Sequence, residues 1–180
     1  TPATLERFAR AARSAGADLA PVSDNLVDAI WADRPAPPLA PVYLYPKRFA
    51  GVEAKKKLGN IARALGDCEA LLISNPHNVA WAFNIRGADV PHTPLPLCFA
   101  LIRAKGDHTL YIDGRKLGEP VRKALSALAL VQEPDALAGD LQALGRAGAR
   151  IRFDSSSAPV KLVDALKNAG GEANPGADPV

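Results

Sequence analysis

The chain contains no methionine and begins Thr1-Pro2. A complete translation product starts with methionine, so the expectation is a processed or excised piece of a longer protein. Cysteine is almost as scarce: Cys68 and Cys98 are the two present, without CxxC spacing and each among apolar neighbours. That pattern excludes a disulfide framework and predicts buried free thiols in a reducing compartment, the cytoplasm. No apolar run approaches the roughly 20 residues that span a bilayer, and no signal peptide is visible, so no membrane partner is expected. The formal net charge is +3 over 180 residues, too small and too scattered to suggest nucleic acid. The densest basic run, Lys55-Lys56-Lys57, falls within a predicted helix and reads as a solvated face.

Catalytic groupings are missing as well. The histidines are His77, His92 and His108, none in a His-x-x-x-His or Gly-His-Gly context, and no strand pairs two inward carboxylates. No Ser-His-Asp or Cys-His arrangement is suggested. Gly114-Arg115-Lys116-Leu117-Gly118 lacks the third glycine and the Lys-Ser/Thr of a phosphate loop. The expectation is therefore no catalytic residue, no metal ligand and no cofactor within this chain.

What is present is 48% hydrophobic and 23% charged, enough for one domain with a real core. The most informative stretch runs from Trp81 to Pro94. Trp81-Ala82-Phe83 is dense enough to be core. Arg86-Gly87-Ala88-Asp89 reads as a turn, with a glycine free to take positive φ and an aspartate able to accept from nearby backbone N–H groups. Pro91 and Pro94 hold the chain extended, and the run from Leu95 to Ile102 reads as a strand buried on both faces. Such a turn can present Arg86, Asp89 and His92 in a set direction. His92 beside Asp89 is the best lone candidate for acid–base work, although an incidental surface pair, or an Arg86 tied to Asp89 or to a helix C-terminus, fits the same residues.

In chain order, residues 1–15 predict a helix capped by Thr4, with Leu5, Phe8, Ala9 and Ala12 on one stripe and Gly16 at its end. Ser23, Asp24 and Asn25 offer caps for a short turn from Leu26 to Trp31. Pro35, Pro37, Pro38, Pro41 and Pro46 make a stiff, extended spacer, with Trp31 as an apolar anchor and Asp28 able to pair with Arg34. Residues 49–65 predict a helix closed by Gly66, residues 70–74 a strand, and residues 80–83 a short helical segment. Residues 97–104 and 108–113 predict a hairpin about Lys105-Gly106-Asp107. Helices follow over 119–128, 134–145 and 159–169, with strands over 128–131 and 149–154. From Gly170 the chain is polar and reads as tail or linker. Helices and strands alternating at this spacing predict an α/β architecture with a mixed sheet.

Trp81-x-x-Asn84-x-Arg86-Gly87-x-Asp89-Val90-x-x-x-Pro94 resembles the signature in the second domain of multi-domain aminopeptidase P (Xaa-Pro aminopeptidase). Asn25-x-Val27-Asp28-x-x-Trp31-x-x-Arg34-Pro35-x-x-Pro38 is similar to the segment joining that family's first and second domains. Where the family carries acidic residues ahead of its Ile-Ala-Trp, this chain has His77 and Asn78.

The resemblance implies a ribonuclease-H-like, creatinase amino-terminal fold, with a mixed sheet of five or six strands flanked by helices. It implies the following division: residues 1–22 a remnant of a preceding domain, 23–46 an inter-domain linker, 47–170 the creatinase N-terminal-like domain, and 171–180 a tail or linker. It implies a parent that releases the residue before a proline in second position, is homodimeric, and holds two divalent metals, manganese or zinc, in a further catalytic domain. Here Arg86, Asp89 and His92 would be substrate-cleft candidates. A stand-alone, non-enzymatic interaction module on the same fold is the alternative.

Overall fold

The computed structural model describes residues 1–22 and 25–180. The capping role read for Ser23 and Asp24 lies outside the described residues; Asn25 caps its helix, its side-chain oxygen accepting from Val27 N–H at 3.0 Å. Helix α1 is Pro2–Ser14, and its cap is Thr1, not Thr4: the Thr1 hydroxyl accepts from Thr4 N–H. Helix α2 is Leu26–Ile30, and the proline-rich segment that follows is extended until its last residues form strand β1, Tyr43–Leu44. The helix expected over 49–65 is two pieces, α3 (Lys47–Ala50) and α4 (Ala54–Arg63), because Gly51 takes φ +73° between them.

The elements that follow are β2 (Ala70–Ile73), α5 (Pro76–Ala82), β3 (Ile85–Arg86), β4 (Phe99–Arg103), β5 (Thr109–Tyr111), α6 (Glu119–Ser126), β6 (Leu130–Gln132), α7 (Ala136–Arg146), β7 (Arg150–Phe153), α8 (Val160–Asn168) and β8 (Glu172–Pro175). Two expectations fail here. Residues 95–98 are buried in part but irregular, so the strand begins only at Phe99. Residues 172–175, read as polar tail, form an edge strand; β7 recruits them by backbone pairing and Ala173 packs against the apolar layer beneath.

The main sheet has six strands in the order β6-β5-β4-β2-β7-β8. Pairing is antiparallel for β2 with β4 and β4 with β5, and parallel for the other three neighbours. This is the mixed α/β sheet that the alternation of elements predicts. Period-2 alternation divides its side chains between two apolar layers. Leu71, Ile73, Ile102 and Leu110 pack with Leu58 and Ile61 of α4, Val79 of α5 and Leu125 of α6. Ala70, Leu72, Leu101 and Tyr111 pack on the other side with Leu137 and Leu141 of α7 and Val163 and Leu166 of α8. Helices α7 and α8 approach closely at Gly145, where a Cβ would lie 2.4 Å from the Leu166 carbonyl oxygen.

Strands β1 and β3 pair antiparallel in a separate two-stranded ribbon, Tyr43 opposite Arg86 and Leu44 opposite Ile85. The ribbon ties the end of the proline-rich segment to the start of the Arg-Gly-x-Asp turn. Ahead of Ala40 the described residues are mostly exposed. Helix α1 has no buried residue, and the apolar side chains of α2 face solvent. Trp31, expected to anchor the segment, is 46% exposed; the Arg34 guanidinium lies over its ring, 5.8 Å from the centre. The expected Asp28–Arg34 pair does form, at 2.8 Å.

Candidate functional site

The turn between β3 and β4 is held by one buried ion pair. Asp89 Oδ2 lies 2.6 Å from Lys116 Nζ, with 0% and 5% of the two side chains exposed. The same carboxylate accepts from Leu97 N–H at 2.7 Å and, through Oδ1, from Ala40 N–H at 3.2 Å. Lys116 lies in the 3-10 turn after β5, and its carbonyl accepts from Val42 N–H at 2.9 Å. Three distant segments therefore meet at Asp89: the end of the proline-rich stretch, the loop itself and the Gly114–Lys116 turn. A buried carboxylate needs this many donors to offset its lost hydration. With three donors on it and none of its side chain exposed, Asp89 is sealed away from any substrate.

Gly87 does not serve the turn as expected. It is absent from the positive-φ glycines. It is required because a Cβ there would sit 2.9 Å from the Pro96 backbone nitrogen and 3.1 Å from its Cα, so the two arms of the loop pass back to back. Positive φ falls instead on Asn84 (+51°) and His92 (+60°), residue types of which asparagine tolerates it best. His92 is exposed at the tip. No ion pair or hydrogen bond joins it to Asp89 among the described residues, and the acid–base pairing read for them does not form.

Ahead of the turn lies a second polar knot that the sequence did not disclose. Lys57, read as part of a solvated face, is 3% exposed. Its ammonium donates to Asn84 Oδ1 at 2.7 Å and to the Trp81 carbonyl at 3.0 Å, and sits 3.9 Å from the Trp81 ring centre. Asn84 in turn donates to the Val52 carbonyl at 2.8 Å. Burial, and after it the nearby Arg86, pushes the Lys57 ammonium below its usual range. The missed signal was helical spacing: Lys57 shares a stripe with Ala54, Leu58 and Ile61.

Arg86 is half-buried. Its Nη1 donates to the carbonyls of Ala80, at 3.2 Å, and Ile85, at 2.8 Å. Its guanidinium lies over the Tyr45 ring, 4.2 Å from the centre. One carbonyl from the end of α5 and one from β3 hold it; Asp89 does not. Beside it opens a cavity of about 440 Å³ lined by His77, Asn78, Trp81, Arg86, Pro94 and Leu95, among others. Of the three site candidates, Arg86 faces this cavity, His92 stands at the exposed loop tip, and Asp89 is sealed beneath.

The donors for a two-metal centre are not assembled here. No group of three His, Cys, Asp or Glu side chains converges among the described residues. Asp89 is buried against Lys116, and His108 Nδ1 accepts from Arg103 N–H at 3.2 Å. The residues present do not fit the metals. The thiols are buried and free, and burial pushes Cys98 up to about 12. No helix among the described residues is long and apolar enough to cross a membrane.

Residues 33–180 match the family model for the creatinase/prolidase N-terminal domain. The chain is 40% identical over 117 residues, 63% of its length, to the probable Xaa-Pro aminopeptidase P of Colletotrichum graminicola. It is 33% identical over 150 residues, 82% of its length, to that of Aspergillus niger. These alignments cover 19% and 24% of the two relatives, so the chain spans about a fifth to a quarter of their length. In fold it is similar to an X-prolyl aminopeptidase from Caenorhabditis elegans, described as a cytosolic enzyme with a di-nuclear active site. That match has a TM-score of 0.84 at 20% identity and covers 98% of this chain and 30% of that one.

Proposed function

The chain belongs to the creatinase/prolidase N-terminal domain family, and from that premise we propose that it serves as a non-catalytic domain of a Xaa-Pro aminopeptidase. The parent would release the residue preceding a proline in second position, acting on peptides in the cytoplasm as a homodimer. Its two divalent metals, manganese or zinc, would sit in a separate catalytic domain and supply an activated hydroxide there. Residues 1–22 would belong to a preceding domain, 23–46 to an inter-domain linker, and the residues after strand β8, 176–180, would lead toward the catalytic part. Within this chain the Arg86–His92 loop would wall the substrate cleft. Arg86 would present its guanidinium, His92 would sit at the rim, and Asp89 would keep the loop in place.

The observation that carries the reading is the division of labour within the Trp81–Pro94 motif. Its carboxylate is consumed by Lys116 and two backbone N–H groups, while Trp81 and Arg86 line an open cavity. That is the chemistry of a braced wall rather than of a reacting centre.

The test has two parts. This chain, incubated with an Arg-Pro-Pro peptide and manganese, is expected to show no turnover and no stoichiometric metal. The full-length enzyme carrying Arg86→Ala is expected to lose kcat/KM with an unchanged Tm. Turnover by this chain alone would overturn the non-catalytic assignment. A parent reading frame without any metal-ligand domain would support the stand-alone interaction module instead.

A further inference from the structure

Past β8 the chain keeps to one path, although residues 176–180 have no regular structure. Gly176 N–H donates to the Phe153 carbonyl at 3.0 Å. There the backbone crosses the Arg152 guanidinium, where a Cβ on Gly176 would lie 3.1 Å from Nε. Arg152 Nη2 donates to the Ala177 carbonyl at 2.7 Å. Asp178 then reaches α5: its Oδ2 accepts from the Asn78 amide at 2.8 Å, across 100 residues of sequence. Val180, the last residue of the sequence, packs on the apolar layer that contains Val79, Ala80 and Leu95. It lines the cavity together with Asn78, Trp81 and Arg86. Pro175 and Pro179 restrict the backbone on either side of Asp178.

The hold is light. No ion pair involves residues 176–180, the terminal carboxylate included, among the described residues. Arg152 Nε and Asp178 Oδ1 are buried without a partner from the protein, and a buried polar atom left so costs free energy. Burial pushes the Asp178 carboxyl above its usual range and Asp154 adds to this, against the pull of Asn78, the Val180 backbone and Arg152. The segment is docked by side chains, yet the carboxylate at its centre resists burial.

We propose that residues 176–180 are a strap that closes one side of the Trp81–Arg86 cavity, with Asn78 as its clasp. Docked, the strap places Val180 in the cavity wall. Lifted, it takes that part of the wall away. Asn78 is a positioning residue: it stands three residues before Trp81 on α5, on the same helix face, and acts on the cavity through the strap. The proposal rests on reading residues 176–180 as the way toward the catalytic part. The strap then ties the direction of that exit to the shape of the cleft wall.

The test uses this chain and NMR, reading backbone order at residues 176–178 and 180 and the indole N–H signal of Trp81. In the unaltered chain the strap should be ordered, with an order parameter of about 0.8; in Asn78→Ala it should fall below about 0.6, the range of flexible backbone. The Trp81 signal should move in that variant while Tm stays unchanged. Asp178→Ala should act the same way from the other end, and decides alone should Asn78→Ala not fold. Asp178→Asn separates clasp from charge. It keeps an oxygen for the Asn78 amide and removes the charge that burial disfavours, so the strap should stay ordered. Adding Gly-Ser-Gly after Val180 should also leave the strap ordered, because side chains rather than the terminal carboxylate hold it. A disordered strap in the unaltered chain, order that survives both alanine variants, disorder in Asp178→Asn, release by the added residues, or a Trp81 signal that stays put when the strap is freed would each overturn the proposal. Any of these results would leave the non-catalytic domain reading standing, because that reading is decided by turnover and by kcat/KM in the full-length enzyme.

Discussion

Residues 25–38 and residues 81–94 both carry motifs that resemble the same family, yet the fold treats them in opposite ways. In the later stretch the polar side chains of Asn84, Arg86 and Asp89 turn inward, while His92 stays at the tip. Asp89 closes on Lys116, Asn84 on Lys57, and Arg86 on the carbonyls of Ala80 and Ile85. In the earlier stretch the apolar side chains turn outward: Ile30 is 83% exposed, and Leu26, Val27 and Trp31 also face solvent. The one ion pair there, Asp28 with Arg34, lies at the surface and is worth little. Among the described residues the apolar side chains of Leu26, Val27, Ile30 and Trp31 are left to solvent, whereas the second motif is satisfied by the domain that contains it. A signature can mark an internal brace or a surface made for something else, and burial tells the two apart.

The largest expected effect comes from breaking the brace. Asp89→Ala strands Lys116 in the interior and orphans the amides of Ala40 and Leu97. A loss of about 3–5 kcal/mol, the range for removing one partner of a buried pair, is expected in urea unfolding. A loss under about 1 kcal/mol would mean that the loop reorganises around the gap.

Gly87→Ala sharpens the comparison differently, since it changes volume and leaves the charges alone. The added methyl meets the Pro96 backbone, and overpacking of this kind costs about 1–3 kcal/mol. The same urea titration reads it, and Asp89 should still be buried in the variant.

Alkaline pH probes the apolar layer around the loop. Burial holds the Cys98 thiol up at about 12 against an ordinary 9.0. A thiol whose folded pKa is raised contributes stability that is intact below the unfolded value and is lost as pH climbs through the folded one. Tm should therefore fall between pH 9 and 12, and a thiol reagent at pH 8 should leave Cys98 unmodified until the chain unfolds. Rapid labelling of the native chain would contradict the packing described. Smallest of all, Ile30→Ser should change stability by less than about 0.5 kcal/mol, and a larger loss would show that the open region is packed after all.

Much of the fold was legible because it rests on long apolar alternation. Strands β2, β4, β5 and β7 and helices α6, α7 and α8 sit where periodicity places them to within a few residues. The two-residue strands β1 and β3 were not legible, since pairing with each other is all that defines them. Strand β8 reads Glu-Ala-Asn-Pro, without a β-branched residue, and becomes a strand because β7 offers an unpaired edge.

At the site, Arg86 was found by its motif, and it does line a cavity. The fates of Asp89 and Lys57 were invisible because their partners lie 27 residues away in each case. A lysine triplet looks like solvated surface until the helical stripe is drawn through Leu58 and Ile61, which places Lys57 on the buried side.

Asp89 and Lys116 act as one structural unit. A double-mutant cycle of Asp89→Asn, Lys116→Met and the pair, followed by urea unfolding, tests it directly. If the two side chains brace the loop through each other, the second substitution costs far less once the first is made, with a coupling of about 1–3 kcal/mol. Additive losses would show that Asp89 and Lys116 act independently, and would contradict the brace.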